Sequence, residues 1–123
     1  MARVTGLGGI FFKSRDPKAL AAWYAKHLGL PVTDFGGAMF VEDENRPGAT
    51  LWTPFKESTD YFKPSTRDFM INFRVDDLDG LLAQLRSDGV QVDADVQESE
   101  YGKFGWIMDP DGNRVELWQP PAA

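Results

Sequence analysis

Apolar and polar residues follow two periods along this chain, and each change of period marks the boundary of a predicted element. The segments GGIFFKS (8–14) and MINFRVD (70–76) are rich in β-branched and aromatic residues, a composition typical of strands. After each segment apolar residues recur at helical spacing, first at Leu20, Tyr24 and Leu28 and then at Leu78, Leu82 and Leu85. The pattern therefore predicts one-sided helices over about 17–28 and 78–88.

Helix signals delimit both predicted helices. Asp16 and Asp77 can act as N-caps, Pro17 suits the first helical position, and Gly29 and Gly89 are placed to end the helices. The strand-like segments that follow are LPVTDF (30–35), AMFVED (38–43) and GATLWTP (48–54) in the first half, and VQVDADVQES (90–99), FGWIMDP (104–110) and RVELWQ (114–119) in the second. DPDGN (109–113) reads as a tight turn before the last strand.

The two halves of the chain repeat one another. IFFKSRDPKALAAWY (10–24) aligns with INFRVDDLDGLLAQL (71–85), and ATLWTP (49–54) aligns with VELWQP (115–120). We therefore predict a single α+β domain over 1–123, made of βαβββ repeats at 5–55 and 68–122 that are joined by a linker, 56–67. With helices on one face of each unit, the sheets are free to curve around a cavity on the other face.

Alternation along the strands assigns side chains to the two faces. Ile10, Phe12, Ile71, Phe73, Val75, Val115 and Leu117 are expected to lie under the helices. The open face is expected to carry Phe11, Lys13, Thr50, Trp52, Met70, Asn72, Arg74, Phe104, Trp106, Arg114, Glu116 and Trp118. Several aromatic side chains on one uncovered face favour a pocket for a small molecule.

Composition narrows the function classes. The chain has 13 Lys+Arg against 19 Asp+Glu, a net charge of −6 and no Cys, which argues against a nucleic-acid partner and excludes disulfides and thiolate metal sites. No secretory leader or membrane-spanning run is recognisable. We expect a cytoplasmic protein that contacts neither nucleic acid nor membrane, and the acidic balance suits a cationic ligand.

The paired units, the helix segment RDPKALAAWYAKHLGL (15–30) and the closing DPDGNRVELWQP (109–120) resemble the glyoxalase/bleomycin-resistance/extradiol-dioxygenase superfamily, also called vicinal oxygen chelate. The resemblance implies mixed curved sheets forming a concave half-barrel cavity, with the loop QESEYGKFG (97–105) over the pocket mouth and Tyr101 as a candidate lid residue. The uncovered aromatic face also suggests a homodimer. The resemblance also implies four metal-ligand positions, which fall here on Gly9, Thr50, Met70 and Glu116. Because Glu116 alone offers an ordinary ligand for a hard divalent ion, no cofactor is expected and a bound divalent metal is disfavoured.

Glu116 can be interpreted in three ways, and the sequence leaves them open. It can be an ion-paired or hydrogen-bonded structural carboxylate near Lys13, Arg74 or Arg114, an anchor for the polar end of a ligand, or a general base. The only histidine, His27, is expected to serve helix packing or the helix dipole. The leading hypothesis is a metal-independent protein that binds an aromatic or amphipathic molecule; the alternatives are a lyase, isomerase or dioxygenase of this superfamily, metal-dependent or using Glu116, and a non-catalytic interaction module.

Overall fold

A computed structural model of the protein describes residues 2–28, 30–41, 45 and 48–122, without the side chains of residues 27 and 28. Eight strands and two helices lie in these ranges. Their order is β1 (Val4–Ser14), α1 (Pro17–Leu28), β2 (Ala38–Phe40), β3 (Thr50–Lys56), β4 (Phe69–Val75), α2 (Leu78–Ser87), β5 (Gln91–Val92), β6 (Gln97–Ser99), β7 (Gly102–Met108) and β8 (Arg114–Gln119). The interpretations of His27 and Gly29 fall outside the described residues.

All eight strands belong to one curved, unclosed sheet of order β2-β3-β1-β4-β8-β7-β5, with β6 also paired to β7. Each unit contains one parallel pair, β1 with β3 and β4 with β8. The units join through the antiparallel pair of β1 with β4, in which Ile10 lies opposite Ile71. The predicted α+β class is confirmed, although the two expected sheets form a single sheet because their first strands pair edge to edge.

The capping residues act as their sequence context predicts. A carboxylate oxygen of Asp16 accepts the Ala19 backbone N–H at 3.0 Å, and Asp77 accepts that of Gly80 at 3.1 Å. Helix α2 ends at Ser87, and Gly89 follows with a φ of 82°, a left-handed conformation that glycine adopts at little cost. In the described parts of the chain neither helix is long and apolar enough to span a bilayer.

Two predicted strands differ from the structure. Residues 30–35 contribute only an isolated bridge, Val32 to Ala38, because the chain turns at Thr33, whose N–H donates to the Gly37 carbonyl at 2.8 Å. Segment 90–99 forms two short strands instead of one. The interruption lies at Asp93, whose carboxylate accepts the Asp95 N–H at 3.1 Å in a local turn.

Each face of the sheet carries its own apolar core. Leu78 and Leu82 of α2 pack on Val75, Val115 and Leu117 of the sheet. The opposite, concave face holds a group of buried residues that we call the concave cluster: Phe11, Phe62, Met70 and Trp106. One expected helix contact is wrong, since Ile10 is 45% exposed: α1 lies mainly over β3, and β1 is left partly uncovered between the helices.

Candidate functional site

Glu116 lies at the centre of the concave face and is 1% exposed. Its Oε2 accepts hydrogen bonds from the Tyr61 hydroxyl at 2.5 Å and from the Trp106 indole N–H at 2.9 Å. Its Oε1 accepts the Asn72 side-chain amide at 2.6 Å. All three donors are neutral, so the carboxyl group is hydrogen-bonded without a formal counter-charge among these partners.

Strand pairing positions two of these donors. Asn72 on β4 lies directly beside Glu116 on β8, and Trp106 on β7 lies directly beside it on the other side. The Asn72 amide also occupies space that only a glycine leaves open, because a methyl group added at Gly8 would lie 1.7 Å from Asn72 Oδ1. The register of β4, β8 and β7 and the glycine in β1 thus build the polar centre.

The third donor comes from the linker, and sequence reasoning did not assign it to the site. The Tyr61 ring stacks on Phe55 with centroids 5.5 Å apart and meets Trp106 edge-on at 6.0 Å. Its neighbour Phe62 is 1% exposed within the concave cluster. Two adjacent aromatic residues in the otherwise polar segment FKESTDYFKPSTRD (55–68) were the available signal, because such side chains gain free energy by burial.

Burial controls the electrostatics of the pair formed by Tyr61 and Glu116. Desolvation raises the pKa of Glu116, opposed first by the hydrogen bonds from Tyr61, Trp106 and Asn72 and then by the charge of Arg114. Burial also raises the pKa of Tyr61, and the nearby Glu116 carboxylate raises it further. Tyr61 therefore stays a neutral donor, and the neutral form of Glu116 is favoured compared with an exposed glutamate.

The cations expected beside Glu116 have other partners. Arg114 pairs with Asp93 at 3.2 Å and places its guanidinium carbon 5.1 Å from the centre of the Trp106 ring. Lys13 pairs with Asp68 at 3.7 Å, and the Arg74 side chain lies against Gly6 and Gly48. Among the described residues, Glu116 is hydrogen-bonded to neutral donors and forms no salt bridge with these cations. Its roles as ligand anchor or general base stay predictions.

The predicted placement of Trp52 and Thr50 on the open face is wrong. The Trp52 ring centre lies 4.6 Å from that of Tyr24 in α1 and 5.4 Å from that of Phe12, which places it on the helix face. Thr50, two residues earlier on the same strand, donates its hydroxyl to the Leu7 carbonyl at 3.4 Å. The match of ATLWTP with VELWQP aligns similar residues that face opposite sides, so Leu51 and Phe55 line the concave cluster instead.

The other predicted pocket residues divide into two groups. Phe11, Met70, Asn72 and Trp106 are buried around Glu116, whereas Phe104 and Trp118 stack nearly parallel with centroids 6.2 Å apart. Tyr101 is 58% exposed, and its backbone carbonyl accepts the Trp118 indole N–H at 2.7 Å. The proposed lid role of Tyr101 stays a prediction.

The donor set does not fit a divalent metal. Gly9 has no side chain, Thr50 points away from the concave face, and Met70 offers only a thioether, which suits soft ions. Where the structure describes the chain, no three His, Cys, Asp or Glu side chains converge. The lone carboxyl of Glu116 already accepts three hydrogen bonds, so these residues provide no coordination sphere.

Among the described residues, one cavity lies beside this site and a larger one lies away from it, next to α1. One of about 180 Å³ borders the site and is lined in part by Pro64, Trp106 and Arg114. Another, of about 920 Å³, lies between the start of α1, the turn at 32–36 and the end of β3. None of the predicted pocket residues lines the larger cavity. Two of the predicted pocket residues, Trp106 and Arg114, line the smaller cavity.

Comparisons with known proteins agree with this architecture. The family described as glyoxalase-like domain matches residues 9–118. A methylmalonyl-CoA epimerase from Streptomyces coelicolor has a similar fold, with a TM-score of 0.72, 20% identity and coverage of 98% of this chain and 100% of that one. The methylmalonyl-CoA epimerase from Mycobacterium tuberculosis has a TM-score of 0.66 and 21% identity, and the similarity covers 97% of this chain and 90% of that one.

A glyoxalase/bleomycin resistance protein/dioxygenase superfamily member from Vibrio splendidus 12B01 is also similar, with a TM-score of 0.57 and 16% identity, and the similarity covers 97% of this chain and 99% of that one. No curated protein sequence gives a significant match. At these identities the solved structures establish a common fold.

Proposed function

Since the chain belongs to the glyoxalase-like family of the glyoxalase/bleomycin-resistance/dioxygenase superfamily, we propose that it is a metal-independent protein that binds a small aromatic or amphipathic molecule in its concave pocket. The observation that carries this proposal is a carboxyl group, Glu116, that is 1% exposed and surrounded by aromatic rings. Burying a carboxyl group costs free energy that an apolar residue would avoid. Such a group is therefore a candidate for function.

The arrangement supports an amphipathic ligand with a hydrogen-bond donor. Phe11, Phe55 and Trp106 supply flat apolar surface, while Glu116 supplies acceptor oxygens that fix the orientation of one polar end. Metal independence rests on the donor set, in which Gly9 and Met70 hold two of the four superfamily ligand positions. Direct metal analysis tests it: stoichiometric Zn, Ni, Fe or Mn in protein purified without chelator, lost in Glu116→Gln, would overturn this part of the proposal.

A thermal-shift screen with aromatic amines, alcohols and carboxylates tests the binding function. A ligand at about 100 times its dissociation constant stabilises the folded state by about 2.7 kcal/mol. Compounds that stabilise the wild type are then tested on Glu116→Gln and on the matched control Glu57→Gln, whose exposed side chain lines the other, larger cavity. Binding that Glu57→Gln keeps and Glu116→Gln weakens supports the proposal, whereas equal binding to both variants contradicts the assigned pocket.

A second candidate is a metal-free lyase or isomerase that uses Glu116 as its acid or base. The observation favouring it is that burial raises the pKa of Glu116, which moves a carboxyl group toward the range useful for proton transfer at neutral pH. The structural similarity includes methylmalonyl-CoA epimerases, but fold alone does not carry their substrate to this chain. Hydrogen–deuterium exchange into a bound carbonyl compound, abolished in Glu116→Gln, would favour this candidate.

A further inference from the structure

Tyr61 occupies the concave pocket in the way a ligand would. Its phenol ring stacks on Phe55 at 16° between ring planes and meets Trp106 edge-on at 90°, the two arrangements that aromatic pairs prefer. Its hydroxyl donates to Glu116 Oε2 at 2.5 Å, at the short end of the range for O–H···O hydrogen bonds. The ring and the hydroxyl are thus recognised separately, one by aromatic surface and the other by a buried acceptor.

The connection that supplies Tyr61 is held to the sheet mainly by side-chain burial. In the described chain, the backbone hydrogen bonds of residues 57–65 stay inside the linker, such as Lys63 N–H to Asp60 O at 3.1 Å and Ser65 N–H to Phe62 O at 2.9 Å. Two side chains of the linker reach beyond it: the Tyr61 hydroxyl donates to Glu116, and at the end of the linker Arg67 donates to the Asp111 carbonyl at 3.3 Å.

Tyr61 and Phe62 differ in their access to solvent. Phe62 is fully buried in the concave cluster, whereas Tyr61 is only partly buried and keeps some contact with solvent. A side-chain rotation of Tyr61 toward solvent breaks one hydrogen bond and two ring contacts and leaves Phe62 in place. Exchange of Tyr61 for a ligand with equivalent groups restores the same interactions, so the net cost is small.

We infer that Tyr61 is an internal substitute for the ligand, and that the pocket binds phenol-type molecules, an aromatic ring bearing a hydroxyl donor, by displacing the Tyr61 side chain. This inference rests on the proposed function, because it names the ligand class of the same pocket. The contact between Tyr61 and Glu116 is then autoinhibitory: it fills the pocket in the absence of ligand and competes with ligands that fit it.

The probe that tests this is 4-methylphenol, which is the tyrosine side chain as a free molecule, with toluene as the matched probe that lacks the hydroxyl. The readout is the indole N–H resonance of Trp106 in ¹H–¹⁵N spectra, because this group donates to the same oxygen as Tyr61. The resonances of Trp23 and Trp52, which lie on the helix side, are internal references.

Titrations of wild type, Tyr61→Phe, Tyr61→Ala and the control Tyr24→Phe give distinct outcomes. We expect 4-methylphenol to move the Trp106 resonance in wild type and in Tyr24→Phe equally. In Tyr61→Phe it should bind about fivefold more tightly, since the competitor has lost a hydrogen bond of ordinary strength. In Tyr61→Ala it should bind at least about tenfold more tightly than toluene, because only the phenol replaces the hydroxyl bond.

Four results would overturn the inference. Equal binding of toluene and 4-methylphenol to Tyr61→Ala would show that the hydroxyl is not recognised. If 4-methylphenol binds Tyr61→Ala but neither wild type nor Tyr61→Phe, the ligand does not displace the Tyr61 side chain, and Tyr61 is a fixed part of the core. If Tyr61→Ala does not fold, the comparison of wild type with Tyr61→Phe decides: equal affinity of both proteins for 4-methylphenol would show that the Tyr61 hydroxyl does not compete with the ligand. Movement of the Trp52 resonance instead of that of Trp106 would place binding elsewhere.

The inference and the proposed function can fail separately. A compound from the thermal-shift screen that moves the Trp106 resonance, when 4-methylphenol does not, leaves the binding function standing and removes the phenol class. If no compound moves this resonance in wild type or Tyr61→Phe, both are overturned.

Discussion

Replacing Glu116 by glutamine exchanges the buried carboxyl for an amide of the same size, and we expect it to remove a pH dependence of stability. Burial raises the pKa of Glu116 in the folded protein, whereas in the unfolded chain the group ionises near its ordinary value of about 4.3. Between these two values the folded protein keeps a proton that the unfolded chain has lost. Wild-type stability therefore falls as pH rises through this window.

The size of the effect follows from proton linkage. One proton released on unfolding gives a slope of about 1.4 kcal/mol per pH unit within the window, and the slope vanishes above the folded-state pKa. In Glu116→Gln the side-chain oxygen can still accept from Tyr61 and Trp106. After rotation of the Asn72 amide, the new amide N–H₂ can meet Asn72 Oδ1, a buried atom that has no hydrogen-bond partner among the described residues. We expect the two proteins to agree within about 1 kcal/mol near pH 4.

Urea unfolding at several values between about pH 4 and pH 8 measures this difference directly. The stability of Glu116→Gln relative to wild type should increase with pH and then level off. A difference that stays constant with pH would contradict the reasoning. Wild type gaining on the variant as pH rises would show that the three donors outweigh burial and lower the Glu116 pKa.

Further expectations test other contacts. Tyr61→Phe should lose about 1–3 kcal/mol, since it leaves a buried acceptor short of a donor, and Tyr24→Phe, measured by the same urea titration, serves as its control. Gly8→Ala should cost about 1–3 kcal/mol and Asn72→Ala should relieve part of that cost in the double variant, whereas additive costs would contradict the close approach. Trp52→Ala should cost about 3–5 kcal/mol in thermal unfolding, and a negligible loss would contradict its packing on α1. The homodimer expected from sequence is checked by sedimentation, where a mass of 13.8 kDa would contradict it.

Local patterns predicted most of the fold. Helix α1 begins at Pro17 after the Asp16 cap, and α2 begins at Leu78 after the Asp77 cap, because capping and helical spacing are properties of short segments. The assignment of faces succeeded on β4 and β8, where alternation is unbroken. It failed on β3, because the aligned Trp52 and Trp118 face opposite sides, and similarity of residue type does not fix the register.

The candidate site was predicted only in part. Asn72, Trp106 and Glu116 were assigned to one face, and strand pairing brings them together. Tyr61 could not be assigned by the same reasoning, because an irregular connection has no period that tells which way a side chain points. The choice between an ion pair and neutral donors for Glu116 likewise depends on distances between strands and the linker.

The linker 56–67 gives the protein a particular sensitivity to insertions. Connections between repeated units normally accept added residues, because little structure depends on their length. Here the connection also fills the space between the units, so a few residues added beside Tyr61 or Phe62 would change what occupies the concave face while leaving all eight strands intact. Variation in the length of this segment is therefore a route by which such a chain acquires a different binding specificity on an unchanged sheet.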